Sequence, residues 1–502
     1  MLKKIRKVAA VAIFTLLTLV FLDFTGTIHI WFGWLTKIQL IPAIMAVNLV
    51  IIAGLVLLTF IFGRIYCSVI CPLGIFQDGI SNIAGRRKGK KNRFRYSSAK
   101  SWLRYGVLVL FILAMILGIS AIVSLLDPYA AFGRIVSNFF TPVYRWGNNL
   151  LAWLVERMDS YAFYSTEVWM KGWMTFGIAA ITLITVGILA WRNGRTYCNT
   201  ICPVGTTLGF LSKFFIFRLT FDAGKCTKCN VCERNCKSSC IDVKTMKIDH
   251  SRCVTCFNCI EKCKFGAISY APAKFGKHQT TDIEKETNNH EQVGMTRRGL
   301  LSILGALTIT KTVRAQQLHV DGGLAEIEEK KVPVRKTSVV PPGAISAHNM
   351  EKHCTACQLC VSTCPNNVLR PSNRLATFMQ PEMSFERGYC RPECVECSQV
   401  CPTSSIKPVT TAEKSAISIG TAVWIKENCV VNRDEIQCHS CKDRCPTGAI
   451  THVDRDPGNS NSLQIPVIDK ELCIGCGACE YQCPARPFSA IYVEGNLRHH
   501  SI

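Results

Sequence analysis

The chain has 502 residues, 48% of them hydrophobic, and 58 Lys and Arg against 35 Asp and Glu give a formal net charge of +23. That length and composition exclude a single small domain. The positive excess collects in loops beside apolar stretches, which accounts for it without a nucleic-acid partner.

In chain order, charge-free apolar stretches at 8–22, 38–63, 105–126 and 172–191 come first. A helix that crosses a bilayer needs about 20 such residues. The stretches therefore predict four transmembrane helices, the first extended towards Gly26. Lys3, Lys4, Arg6 and Lys7 precede the first stretch, and residues 86–104 hold nine Lys or Arg and no acid. The loop 127–171 holds four basic and four acidic residues. By the positive-inside rule the amino terminus and the basic loop are cytoplasmic and the neutral loop lies outside.

A thiol motif follows the second stretch and recurs after the fourth. It reads Tyr66-Cys67-Ser68-Val69-Ile70-Cys71-Pro72-Leu73-Gly74 and then Tyr197-Cys198-Asn199-Thr200-Ile201-Cys202-Pro203-Val204-Gly205, with Arg64 and Arg195 ahead of each copy. A C-x3-C pair puts two thiols about one helical turn apart on one face. Cys67, Cys71, Cys198 and Cys202 are therefore candidate redox or metal thiols. The plain alternative is two pairs of buried structural thiols.

Of the 29 cysteines, 24 fall into six groups of four. Four groups follow C-x2-C-x2-C-x3-C: Cys226-Cys229-Cys232-Cys236, Cys253-Cys256-Cys259-Cys263, Cys354-Cys357-Cys360-Cys364 and Cys473-Cys476-Cys479-Cys483. Cys390-Cys394-Cys397-Cys401 and Cys429-Cys438-Cys441-Cys445 stretch only the first gap. This comb is the ligand spacing of bacterial 4Fe-4S cubanes: three thiolates wrap one cube, and the fourth cysteine reaches the other cluster of a pair. Zinc sites use C-x2-C pairs without the third cysteine, and disulfides need no fixed comb. The reading is six 4Fe-4S clusters. Cys240 lies close to Cys236 as a spare thiol. Whether neighbouring combs pair in the carboxy-terminal half, or the outer and inner two nest, is open at this level.

Polar residues 274–294 read as a linker. Thr296-Arg297-Arg298-Gly299-Leu300-Leu301 then opens a 12-residue apolar run ending at Thr310. Such a run has the length of a signal segment, and a twin arginine ahead of it is the address for export of folded protein. Clusters are inserted in the reducing cytoplasm, so a cluster domain bound outward has to cross folded. The expected fold class is a membrane α-helical unit with four transmembrane helices plus α+β ferredoxin-like iron–sulfur domains. The expected division is 1–215 helical, 216–272 a cytoplasmic two-cluster domain, 273–295 linker, 296–315 signal-like segment, 316–345 tether and 346–502 a periplasmic four-cluster domain. The expected location is a bacterial inner membrane.

Residues 1–270, with their four stretches, two C-x3-C-P motifs and two combs, resemble NapH-type membrane quinol dehydrogenase subunits and the related NosR and FixG/CcoG groups. Residues 296–502, with the twin arginine and four combs, resemble the exported NapG/MauM ferredoxins. The resemblance implies oxidation of a quinol (menaquinol or ubiquinol) and delivery of electrons to a periplasmic reductase or cytochrome. The chain departs from the pattern in the internal position of the signal and in Lys237 and Lys264, which stand where Pro follows the fourth cysteine elsewhere. No C-x2-C-H haem attachment and no Gly-rich nucleotide fingerprint is present.

Quinol oxidation needs proton acceptors. Asp23 and His29 are the candidates, with Gln39 beside them, and Asp127 with Tyr129 form a second set. Trp31 and Trp34 read as interface residues. His353 and His439 sit beside comb cysteines as tuning or packing residues. Two other readings stay open: copper reduction for metalloenzyme assembly at the C-x3-C-P thiols, as in the FixG/CcoG group, and a non-catalytic electron relay.

Overall fold

A computed structural model describes residues 1–23, 25–87, 94–159, 163–272, 328–457 and 462–502. The linker, the twin-arginine segment and the tether up to residue 327 lie outside the described residues.

Helix α1 (Leu2–Leu22) and a later helix over Trp173–Asn193 are the two described helices that are long and apolar enough to cross a membrane. At 1.5 Å per residue each 21-residue helix is about 31 Å long. The four-span expectation is met only in part, and the local chemistry shows why. The stretch 38–63 breaks at Val47, whose φ is 52°, and restarts at Asn48, whose side chain accepts from the Ile51 amide. That leaves α2 (Leu49–Phe62) with 14 residues. The stretch 105–126 breaks at Gly118, a left-handed cap with φ 73° that ends the helix Ser101–Leu117 after 17 residues. After α3 (Pro72–Arg87), that helix is α4 (Ser101–Leu117), followed by α5 (Pro128–Ile135), α6 (Trp173–Asn193) and α7 (Pro203–Leu211).

These helices pack around one core. Phe21 of α1 meets Tyr129 and Phe132 of α5 at ring separations of 5.8 and 6.2 Å, and Phe14 meets Phe132 at 5.4 Å. Such aromatic pairs each add about 0.5–1.5 kcal/mol beyond burial. The outer faces remain apolar and exposed: Leu110, Leu113 and Ile116 on α4, and Ile181, Ile184 and Ile188 on α6.

The first iron–sulfur unit hangs on strands β1 (Phe217–Phe221) and β2 (Ile268–Pro272), antiparallel with Leu219 opposite Tyr270. The second holds β3 (Leu369–Pro371) against β4 (Pro381–Met383). It also holds β5 (Ile417–Trp424) against β8 (Ile491–Ser501), and β6 (Ile450–Asp454) against β7 (Gln464–Ile468).

The two units sit at opposite ends of the helical unit. At the start of α1, Lys3 pairs with Glu261 of the first unit. At its far end Phe21 lies against Gly133, and a Cβ on Gly133 would collide with the Cys357 carbonyl of the second unit. Helix α6 reports the same order in reverse. Gly172 at its start faces Pro371, and just past its end the Arg195 amide donates to the Lys237 carbonyl at 2.9 Å.

Candidate iron–sulfur and thiol site

The comb is built by a repeated turn. In the four regular combs, the second and fourth residues after the first cysteine are left-handed: Lys228 and Asn230, Thr255 and Phe257, Ala356 and Gln358, Gly475 and Gly477. Alternating handedness turns successive backbone N–H groups inward into a nest that suits an anionic group. The Ala356 amide accordingly donates to Cys354 Sγ at 3.4 Å. The stretched combs lack this turn, since Val395 and His439 both have φ −117°.

Each fourth cysteine crosses to its neighbour. Cys226, Cys229 and Cys232 share one small cavity with Cys263. Cys429, Cys438 and Cys441 share another with Cys483, and Cys473, Cys476 and Cys479 a third with Cys445. The same exchange sets Cys236 beside Cys253, Cys256 and Cys259. It sets Cys401 beside Cys354, Cys357 and Cys360, and Cys364 beside Cys390, Cys394 and Cys397. Neighbouring combs therefore pair in the carboxy-terminal half, and the nested arrangement is not adopted. Cys240 lies 3.5 Å from Cys236, sulfur to sulfur.

Among the described residues no three His, Cys, Asp or Glu side chains close on a single ion. Three of the cysteine quartets instead surround small voids, as a four-iron cube requires, and the thiolate set with its inward amides fits that group. Burial pushes the thiols up, Cys354, Cys441 and Cys476 to about 12 and Cys232 and Cys390 to about 11. Iron has to displace those protons to bind.

The C-x3-C-P thiols come together in the helical core, each at most 5% exposed. Two arginines cross between the copies. Arg64 Nη2 lies 3.9 Å from Cys67 Sγ and donates to the Cys198 carbonyl at 3.2 Å. Arg195 Nη1 lies 3.9 Å from Cys198 Sγ and donates to the Cys67 carbonyl at 2.6 Å. Gln77 donates to Cys198 Sγ at 3.2 Å, and Cys202 Sγ caps α7 by accepting from the Gly205 amide at 3.4 Å. Asp78 gathers Arg195 at 2.9 Å, Arg6 at 3.3 Å and Lys237 at 3.4 Å. Burial would raise the Asp78 carboxyl, but Arg195, Lys237 and Arg6 together hold it well below the usual carboxylate range. Sequence reasoning passed over Asp78. The available signal was its isolation, as the sole acid between Asp23 and Asp127.

Asp23 and His29 are brought together, with the His29 amide donating to Asp23 Oδ2 at 3.0 Å. Asp23 Oδ1 accepts from the Thr25 amide and hydroxyl and the Gly26 amide, so the carboxylate caps the short helix Thr27–Phe32. Burial lowers the His29 imidazole pKa. Gln39 accepts from the Tyr66 hydroxyl at 3.0 Å, and Trp31 and Trp34 are exposed. Asp127 caps α5 through the Tyr129 amide, while its Oδ2 and the Tyr129 hydroxyl are buried without partners. His353 Nδ1 bonds the Asn349 carbonyl, and His439 meets His452 at 2.8 Å.

These sites define a 4Fe-4S ferredoxin-type protein. The family described as "4Fe-4S binding domain" matches residues 44–91 and 173–221, and "4Fe-4S dicluster domain" matches 436–486. The methylamine utilization ferredoxin-type protein MauM of Methylophilus methylotrophus is 32% identical over 161 residues, 30% of this chain and 69% of the relative. The ferredoxin-type protein NapF of Escherichia coli K12 is 31% identical over 165 residues, 32% of this chain and 91% of the relative. NapG of the same strain is 27% identical over 199 residues, 36% of this chain and 85% of the relative. No solved structure matches. The chain belongs to the ferredoxin-type proteins of the NapF, NapG and MauM group.

Proposed function

We propose that the chain is a membrane electron conduit that oxidises quinol and delivers electrons to a periplasmic reductase or cytochrome. The observation that carries the reading is the placement of the two iron–sulfur units at opposite ends of α1 and α6, each about as long as a bilayer is thick. The exposed aliphatic faces of α4 and α6 support a lipid setting, because soluble surfaces rarely expose such continuous apolar area. The chain passes from one end to the other between Pro272 and Glu328, the stretch that contains the twin arginine. Export of the second unit, with the first unit left in the cytoplasm, follows from that order.

In this reading each cube has three ligands from one comb and the fourth from its neighbour. The six sets are Cys226, Cys229, Cys232 and Cys263; Cys253, Cys256, Cys259 and Cys236; Cys354, Cys357, Cys360 and Cys401; Cys390, Cys394, Cys397 and Cys364; Cys429, Cys438, Cys441 and Cys483; and Cys473, Cys476, Cys479 and Cys445. Bound 4Fe-4S clusters supply one-electron storage. A quinol gives up two electrons and two protons, the electrons one at a time. The protein's part is to hold the quinol near a comb, to keep water from the thiols and to fix the order of the ligand sets.

Anaerobic full-length protein in liposomes tests this. Added quinol is expected to bleach the iron–sulfur absorbance with no other protein present; no bleaching while dithionite still reduces the chain would leave a relay. The convergence of four buried thiols in the core favours a second reading, copper binding and reduction. Copper bound tightly and lost in Cys67→Ser or Cys198→Ser, with quinol oxidation intact, would establish it.

A further inference from the structure

The two ligand sets of the first iron–sulfur unit stand in different surroundings. Cys236, Cys253, Cys256 and Cys259 are all buried, whereas in the other set only Cys232 is, with Cys226 and Cys263 half-buried and Cys229 exposed. The buried set lies against the helices. The Thr255 hydroxyl donates to the Phe62 carbonyl at the end of α2 at 3.2 Å, and Arg64 donates to the Ser251 carbonyl at 3.0 Å.

Reduction adds one negative charge to a 4Fe-4S group. Burial by itself therefore makes a site harder to reduce, and a fixed cation nearby makes it easier. On burial alone the electron would settle on the outer set, away from the helices.

The lysines that stand in place of proline after the fourth cysteines differ in the same way. Lys264, after Cys263, is exposed. Lys237, after Cys236, is 5% exposed and turns into the helical unit, where its Nζ lies 3.4 Å from Asp78 Oδ1 on α3. Its backbone is held there too, since the Lys237 carbonyl accepts from the Arg195 amide at 2.9 Å. The ammonium also acts by charge on the Cys256 sulfur. Asp78 does not cancel this charge, because the same carboxylate also faces Arg195 and Arg6, so that three cations share one anion. Buried positive charge in excess calls for an anion beside it, and the four-thiolate set supplies one.

We propose that Lys237 is a tuning residue, whose buried charge lifts the reduction potential of the set made by Cys253, Cys256, Cys259 and Cys236 and draws the electron to the side of the first unit that touches the helices. The departure from proline at this position then has a function, because proline carries no charge. The inference rests on the ligand sets given above and not on quinol as the donor.

The test is a redox titration of the anaerobic full-length protein followed by paramagnetic resonance, with the signal of this set identified as the one that Cys256→Ser alters. Lys237→Met is expected to make that signal about tenfold harder to reduce, 59 mV for one electron, with the other signals unmoved. Lys237→Gln, which keeps a hydrogen bond to Asp78 without the charge, is expected to shift it the same way and serves if the Met variant fails to assemble. Lys237→Arg is expected to keep the original potential. Lys264→Met removes a solvated charge and is expected to move no signal by a comparable amount. Asp78→Asn removes an anion and is expected to shift the same signal in the opposite direction. An unmoved signal in Lys237→Met and Lys237→Gln, or an equal shift in Lys237→Arg, overturns the proposal. If no signal responds to Cys256→Ser, the ligand set itself is wrong and the tuning role falls with it.

Discussion

Arg195 reaches Asp78 through Nε at 2.9 Å, joining the residue ahead of the second thiol motif to the helix that follows the first. With Arg64 crossing the other way, the two copies hold each other by side chain to backbone. The four thiols are held between these crossings, so their relative positions depend on buried ions.

Asp78→Asn leaves Arg195, Arg6 and Lys237 without their shared carboxylate. Removing one partner of a buried ion pair costs about 3–5 kcal/mol. The expected outcome is a thermal midpoint well below that of the unaltered chain in the same detergent. Because the Asp78 pKa is depressed by folding, its contribution is present at neutral pH and is lost as pH falls through the unfolded and then the folded value. The difference between the two proteins is therefore expected to shrink in strong acid.

Exchange of the fourth cysteine gives a pairwise rule. Cys401→Ser is expected to disturb the same paramagnetic signal as Cys354→Ser, and Cys364→Ser the same one as Cys390→Ser. Spectra of the reduced variants check this; a shared signal for Cys364 and Cys354 would restore the uncrossed arrangement.

Ligand thiols must lose their protons to bind iron, so affinity falls as pH falls. Burial raises Cys354, Cys441 and Cys476 to about 12, which strengthens that competition. Iron release to a chelator is expected to quicken with each step towards acid. The sets containing Cys397 and Cys441 are expected to empty first, since Val395 and His439 lack the inward left-handed turn.

Gly133→Val places a side chain where the Cys357 carbonyl now sits. Overpacking of this kind costs about 1–3 kcal/mol. The second unit is expected to loosen from the helical unit, seen as faster proteolysis around residue 328 and slower electron arrival in the second unit, while the first unit is reduced at an unchanged rate.

The combs were legible because three ligands of each set are local in sequence. That the fourth crosses to a partner cluster was legible too; which comb it crosses to in the carboxy-terminal half was not, since the step from Cys364 to the Cys390 comb depends on how two loops pack. Apolar length also misled at two places: Asn48 caps a new helix inside the second stretch, and Gly118 ends one inside the third.

The central claim is that the ligand sets stand on two sides of a membrane. Right-side-out cytoplasmic membrane vesicles holding the reduced chain, given a membrane-impermeant dysprosium chelate, test it by paramagnetic broadening. The account expects four of six iron–sulfur signals to broaden at once and two to broaden only after the vesicles are opened. Broadening of all six, or of none, in sealed vesicles would contradict it.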